Sequence, residues 1–304
     1  MDAAPAACLA RALRALDGLS VGDAFGASFF RRPEDVAVRR LSPESQWLWT
    51  DDTAMAISVM EELVARGDVD EDELAKRFAR RFADEPWRGY GRTAKGILAA
   101  ITGGAPWLAA ARAPFEGTGS KGNGGAMRVP PLGAYFAHDL PALFAAARRS
   151  ARPTHIHAEG EAGTIAIAVA AATAARMAAG EQPRDAGTLF AATIEHTPGG
   201  AVREGIAAAA ALPSGVSLNV AASRLGNGAR ELAEDTVPLC VWIAAGHLDD
   251  FEAALWACVT AGGDIDTTGA IVGGILGAAG APIPHDWLRH REALPPLPRP
   301  GLAP

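Results

Sequence analysis

Cysteine is scarce in this chain: 304 residues hold only Cys8, Cys240 and Cys258, odd in number and widely separated. That excludes a disulfide framework and points to reduced thiols in a reducing, cytoplasmic setting. Long apolar runs are missing as well. The most hydrophobic segment, Ala270 to Ile283, is too short to span a bilayer. The stretch around Arg11 and Arg14 lacks the continuous apolar core of a secretory signal. Positive charge is in deficit, with a net charge of −7 and a pI near 5.5. This argues against a general nucleic-acid binder, whose affinity comes from clustered Lys and Arg. No internal linker rich in Ser/Gly or Pro divides the chain, and no partner-binding segment stands out, so a monomer is the default expectation.

Strand-type alternation is also rare, whereas alanine is abundant and apolar residues recur at helical spacing, as in Leu9, Leu13, Leu16 and in Ile57, Met60, Leu63, Val64. The chain therefore reads as all-α, one domain over 1–292 with a proline-rich, irregular tail over 293–304. Helices are predicted for Asp72 to Phe82, Thr93 to Ile101, Leu140 to Arg149 and Glu159 to Ala179. Four more are predicted for Ala186 to Glu195, Val202 to Ala211, Asp235 to Ala245 and Phe251 to Val259, with Gly- and Pro-containing joints between them.

Two acidic clusters sit near opposite ends of the sequence. Thr50-Asp51-Asp52-Thr53 and Gly262-Gly263-Asp264-Ile265-Asp266-Thr267-Thr268 each pack two carboxylates and hydroxyls into a few residues at the apparent start of a helix. Hard divalent cations take such oxygen ligands, so each cluster reads as half of one Mg²⁺ or Mn²⁺ site. Helix capping is the competing explanation for either half taken alone. Asp264 and Asp266 can reach one centre only from a loop or a helix's first turn, and Gly262 and Gly263 allow that. The helix expected from Thr268 to Ala279 carries Gly269, Gly273, Gly274 and Gly277, which fit close packing against another helix.

Between the clusters lies Gly117-Thr118-Gly119-Ser120-Lys121-Gly122-Asn123-Gly124-Gly125-Ala126-Met127-Arg128. Its successive amides can form an anion cradle, with Ser120, Lys121, Asn123 and Arg128 adding donors for a phosphate or pyrophosphate. The spacing is not that of a P-loop, and a plain surface loop is the alternative. Asp23, within Gly22-Asp23-Ala24-Phe25-Gly26, fits either a buried cap or a ligand. His155 and His157 have no nearby cysteine to complete a zinc set, so His155 reads as a ligand hydrogen-bonding residue or a helix-start histidine. Trp47 and Trp49 read as core, and Phe115, just before the glycine loop, is placed to meet a nucleotide base.

These segments, in this order, resemble the ADP-ribosylglycohydrolase family over roughly residues 10–282. The resemblance implies an orthogonal all-helical bundle with a binuclear centre of two Mg²⁺, or Mn²⁺. Its ligands would be Thr50, Asp51, Asp52, Asp264, Asp266 and Thr267. ADP-ribose would lie along Phe115, Gly119, Ser120, Lys121, Gly122, Asn123, Gly124, Met127 and His155, with Phe115 on the adenine. Asp51, Asp52 and Asp266 would be the catalytic carboxylates, Asp51 or Asp52 assisting the attacking water. The implied reaction is hydrolysis at C1 of the distal ribose, releasing ADP-ribose from a modified protein side chain.

This sequence departs from the family where some members carry a glutamate a few residues after the Gly-Asp-Ala-x-Gly segment, since Ser28-Phe29-Phe30 stands there. Members that cleave serine-linked ADP-ribose rely on that glutamate, so an arginine linkage is the expected substrate. A hydrolase of a small ADP-ribosyl metabolite and a non-catalytic ADP-ribose binder are the other readings.

Overall fold

The computed structural model describes residues 5–42 and 46–297. Seventeen helices follow one another: α1 Pro5–Ala27, α2 Pro33–Ala37, α3 Asp51–Arg66, α4 Glu71–Asp84, α5 Arg92–Thr102, α6 Trp107–Arg112, α7 Gly124–Met127, α8 Pro130–Tyr135 and α9 Leu140–Ala151. The remainder are α10 Ala158–Ala178, α11 Ala186–His196, α12 Ala201–Ala210, α13 Leu218–Leu225, α14 Ala233–Gly246, α15 Phe251–Ala261, α16 Ile265–Ala278 and α17 His285–His290. No strand occurs among the described residues, only isolated bridges joining Trp47 to Arg291 and Gly122 to Leu232. This is the all-α bundle expected from the helical periodicity. Observed ends differ from the predicted ones by a few residues at most, the spread expected from fraying.

Small residues decide how the helices pack. α1 and α16 cross so closely that a Cβ on Gly18 would lie 2.1 Å from the carbonyl oxygen of Gly273, and one on Gly22 would lie 2.0 Å from that of Gly269. Only hydrogen fits there, so the glycines of α16 are packing residues, as their spacing implied. α10, alanine-rich and almost wholly buried, packs against α8, α9, α11, α14 and α16. Amphipathic α4 instead buries Leu74, Ala75, Phe78 and Ala79, pairs Arg77 and Arg81 with Glu61 and Glu62 of α3, and turns charges such as Asp72, Lys76 and Arg80 to solvent.

An aromatic cluster closes one end of the core. Phe25 stacks on Trp287 with centroids 4.4 Å apart and meets Phe29, Trp47 and Trp256 edge-on. Trp47 and Trp49 are buried, as read from the sequence. Leu13 is not: it faces solvent despite its helical spacing with Leu16. The segment after α17 is irregular, yet Leu294 and Leu297 rest on the core and Glu292 pairs with Arg88 at 2.6 Å. Residues 298–304 of the expected tail lie outside the described residues.

The candidate metal centre and its ligand pocket

Thr50 occupies the N-cap position of α3 but makes no side-chain cap bond to its own helix. The cap arrives from α1. Asp23 accepts from the amides of Thr50 and Thr53, at 2.9 and 3.0 Å, and from their hydroxyls, at 2.8 and 2.6 Å. Both Asp23 oxygens are thereby engaged, which answers the question its sequence left open: it anchors α3 against α1 and adds charge to the site. With the helix start satisfied remotely, Asp51 and Asp52 in the first turn are released from capping. At the other cluster Asp264 is the N-cap residue of α16 and Asp266 sits in its first turn. The two preceding glycines take positive φ, 67° and 77°.

α1 and α16 then bring the acids together. Carboxylate oxygens of Asp23, Asp52 and Asp266, all buried, lie within 4.8 Å of one another. Asp52 Oδ2 lies 3.1 Å from Thr50 Oγ1, whose single proton goes to Asp23, while Asp52 Oδ1 is buried without any partner. Asn123 donates its side-chain amide to Asp264 at 2.7 Å and to Thr236 at 3.0 Å. Burial raises every carboxyl here. Asp51 and Asp264 are pushed up to about 8, and Asp23 and Asp266 to about 6, first by desolvation. Neighbouring carboxylates add to the rise for Asp51 and Asp264. Asp52 is driven well above the ordinary carboxylate range by burial and by Asp266. Without positive charge this cluster must hold protons. An all-oxygen donor set with an orphaned buried oxygen fits a hard divalent cation.

The acids form one end of a pocket of about 370 Å³ whose other end is the glycine loop. Asp51, Asp52, Asp264, Asp266 and Thr267 line it, as do Phe115, Gly119, Ser120, Lys121, Gly122, Asn123, Gly124, Met127 and His155. Thr50 does not, and is instead wedged between Asp23 and Asp52. The loop differs from a free anion cradle. The amide of Gly119 bonds Pro114 O, that of Gly122 bonds Ser120 Oγ, and that of Asn123 bonds Glu231 O. Among the described loop residues that line the pocket, the amides of Ser120, Lys121 and Gly124 have no partner. The Lys121 ammonium pairs with Glu234 at 2.6 Å, so it flanks the pocket as an ion pair.

Arg128, expected to add a donor, does not reach the pocket. It is fully buried beneath the loop, over the Phe78 ring, and donates to the carbonyls of Gly124 and Ser150 and to Thr154 Oγ1 at 2.9 Å. That bond fixes its neighbour's proton. A guanidinium only donates, so Thr154 Oγ1 accepts from Arg128, and its buried hydroxyl proton has no acceptor among the described residues but His155 Nδ1, 2.7 Å away. Burial and the nearby Arg128 hold His155 down to about 3, so the ring is neutral. Its proton therefore sits on Nε2, the nitrogen against Gly122 and Gly124. Cβ atoms there would come within 3.1 and 3.0 Å of Nε2. His157 accepts from the Glu159 amide and caps α10.

Two lining segments escaped the sequence reading. Arg230, Glu231 and Leu232 form a strap bonded to the glycine loop, and Gly89 with Arg92, Thr93 and Ala94 form the facing wall. The strap's signal was Gly226-Asn227-Gly228: a Cβ on Gly228 would lie 2.7 Å from the Asp264 Cβ, and the Asp264 amide bonds Asn227 O.

A family profile described as ADP-ribosylglycohydrolase matches residues 4–300. The chain belongs to that family. Membership makes it a hydrolase of glycosidic bonds. A chicken (Gallus gallus) protein named ADP-ribosylhydrolase ARH3 is 29% identical over 279 residues, 81% of this chain and 74% of its own. An uncharacterised protein of Archaeoglobus fulgidus is 29% identical over 283 residues, 89% of this chain and 88% of its own. A solved structure titled ADP-ribosylglycohydrolase-related protein complex superposes with a TM-score of 0.65 at 28% identity, covering 94% of each chain. Among the described residues no helix is long and apolar enough to cross a membrane.

Proposed function

We propose that this enzyme hydrolyses the bond between C1 of the distal ribose of ADP-ribose and an acceptor side chain of a modified protein, arginine in first place. The observation that carries the reading is Asp52 Oδ1, a buried oxygen without a partner inside an acidic cluster that faces a glycine loop across one pocket. The acids fit Mg²⁺ or Mn²⁺, two ions by family resemblance, held by Asp51, Asp52, Asp264, Asp266, Thr267 and Thr50. When bound, the ions supply positive charge that fixes the ribose hydroxyls and lowers the pKa of a nearby water.

The protein's own groups do the rest. The Ser120 and Lys121 amides face the diphosphate, and His155 Nε2–H donates to a ligand oxygen. Phe115, 60% exposed at the pocket's rim, offers a flat face to adenine. Asn123 acts on Asp264 rather than on the phosphates, holding that carboxyl in place. Asp51, at the edge of the pocket beside Gly89, accepts the proton of the attacking water. The water oxygen bonds to C1 as the bond from C1 to the acceptor nitrogen breaks; the bonding pair leaves on that nitrogen, which takes up the proton Asp51 received. The arginine linkage rests on the lack of an acid at Ser28-Phe29-Phe30: Phe29 is buried among aromatics and Phe30 faces outward.

Incubation with arginine-ADP-ribosylated protein and Mg²⁺ should release ADP-ribose, and chelation or Asp264→Ala should abolish release. Full activity of Asp264→Ala would refute the metal assignment. Turnover confined to serine-linked or small-molecule conjugates in a parallel panel would replace the arginine assignment.

A further inference from the structure

Beside Asp51, sharing Gly89 with the ligand pocket, lies a second groove of about 400 Å³, and we infer that it binds the acceptor polypeptide, selecting segments with acidic residues beside the modified side chain. The inference rests on the functional reading above, which sends the ribose to the acids and so sends the acceptor past them. Two residues define the junction. Gly89 lines both the pocket and the groove, and a Cβ there would lie 3.5 Å from Asp51 Oδ1 and 3.7 Å from the Thr50 side chain. Thr50 itself lines the groove. Pocket and groove therefore meet at Gly89, beside Asp51 and Thr50.

The groove's walls are apolar and exposed. Phe30 is 54% exposed, Leu48 58% and Trp87 71%. Eight large hydrophobics are exposed among the described residues, and three of them gather on this one feature, which scattered surface residues would not do. The floor is rigid. Arg88 stacks on the Trp49 ring at 3.4 Å, donates to Trp49 O and forms ion pairs with Glu85 and Glu292. Trp87 is thus presented by an anchored loop, which reduces the ordering cost of binding.

Charge sets the occupant. Among the described residues the groove is lined by Arg31, Arg32 and Arg88 and by no acid, in a protein whose net charge is −7. Arg32 pairs with Asp35 and Arg88 with its glutamates, whereas Arg31 has no ion-pair partner among the described residues. An extended segment with an apolar residue over Trp87 and a carboxylate near Arg31 complements this surface.

The test uses two fluorescein-labelled peptides, each with a central arginine and a leucine, flanked in one by glutamates and in the other by lysines. Anisotropy is read on the unmodified peptides, and hydrolysis on their ADP-ribosylated forms and on ADP-ribosylguanidine. The glutamate peptide should bind wild type about tenfold more tightly than the lysine peptide, and Arg31→Glu should erase or invert that preference. Trp87→Ala should weaken peptide binding and peptide kcat/KM about tenfold while leaving ADP-ribosylguanidine hydrolysis within about twofold. An unchanged preference in Arg31→Glu, or equal losses on peptide and guanidine substrates in Trp87→Ala, would overturn the inference. A wild type that hydrolyses no conjugate would defeat the functional reading alone, because the anisotropy of the unmodified peptides decides the groove independently.

Discussion

The same substitution, glycine to alanine inside a helix, should have opposite signs at two positions of this protein. At Gly96, in α5, a Cβ would meet nothing within 4 Å. The change there only lowers the conformational freedom of the unfolded chain and raises helix propensity, a gain of about 0.5–1 kcal/mol. At Gly22 the same gain competes with a Cβ placed 2.0 Å from the Gly269 carbonyl oxygen. An ordinary carbon–oxygen contact is well over an ångström longer, and the obstacle is backbone of a helix in contact along most of its length. α1 and α16 must separate, opening voids beside Gly18 and Gly273, at a cost of about 3–4 kcal/mol. The clash wins. Net destabilisation of about 2–3 kcal/mol corresponds to a fall in Tm of about 3–5 °C in a chain of this length. Because Gly22 adjoins Asp23, the separation also pulls the α3 anchor away from Asp266, so Mg²⁺ affinity should fall at least about tenfold. Calorimetric unfolding with and without Mg²⁺ checks both. A Gly22→Ala protein as stable as wild type, with Gly96→Ala no better, would refute the close approach.

Stability of the metal-free protein should depend on pH with a definite sign. Asp51 and Asp264 are raised to about 8 in the folded state, so they keep protons that the unfolded chain has lost. Their contribution is present at low pH and disappears as pH rises through about 8, with each such proton worth about 1.4 kcal/mol per pH unit. Urea unfolding in chelator should show stability falling from pH 6 to pH 8, and saturating Mg²⁺ should flatten the trend; a rise with pH in chelator would contradict it. Asp52→Asn puts a neutral amide where the metal-free protein must otherwise take up a proton on folding, so it should raise metal-free stability at neutral pH by about 1–2 kcal/mol and abolish the thermal shift produced by Mg²⁺. Thr154→Val should release the His155 tautomer, seen by ¹⁵N NMR as loss of the pure Nε2–H form, and Thr154→Ser should restore it. An unchanged spectrum in the valine variant would break the Arg128–Thr154–His155 relay.

The helices were legible because apolar spacing is local, and so was the requirement that Asp264 and Asp266 sit on a helix's first turn, since two acids two residues apart cannot share a helical face. The juxtaposition of the two acidic clusters followed from the oxygen count alone. The cap on α3 was not legible in the same way. Asp23 could be read as the cap of some neighbouring helix or as a ligand, and only the docking of α1 shows that it caps α3, 27 residues further on. The glycine loop misled in part because composition shows which amides are unobstructed by side chains but not which are already bonded: the strap at 226–232 takes one of them. Arg128 misled for a related reason. A cation beside a glycine loop suggests a phosphate partner, but here four helix-end and loop acceptors surround it below the surface.

The α1–α16 crossing also fixes when the site can exist during synthesis. One set of acids is carried by residues 23–52 and the other by residues 264–267, so the cluster cannot close until α16 has emerged from the ribosome. Loop closure over more than two hundred residues is slow, and α1 must wait with its glycine face unpaired. A nascent chain halted before α16 should hold the cation no better than a peptide bearing Asp51 and Asp52 alone, which makes cation capture a late marker of completed folding.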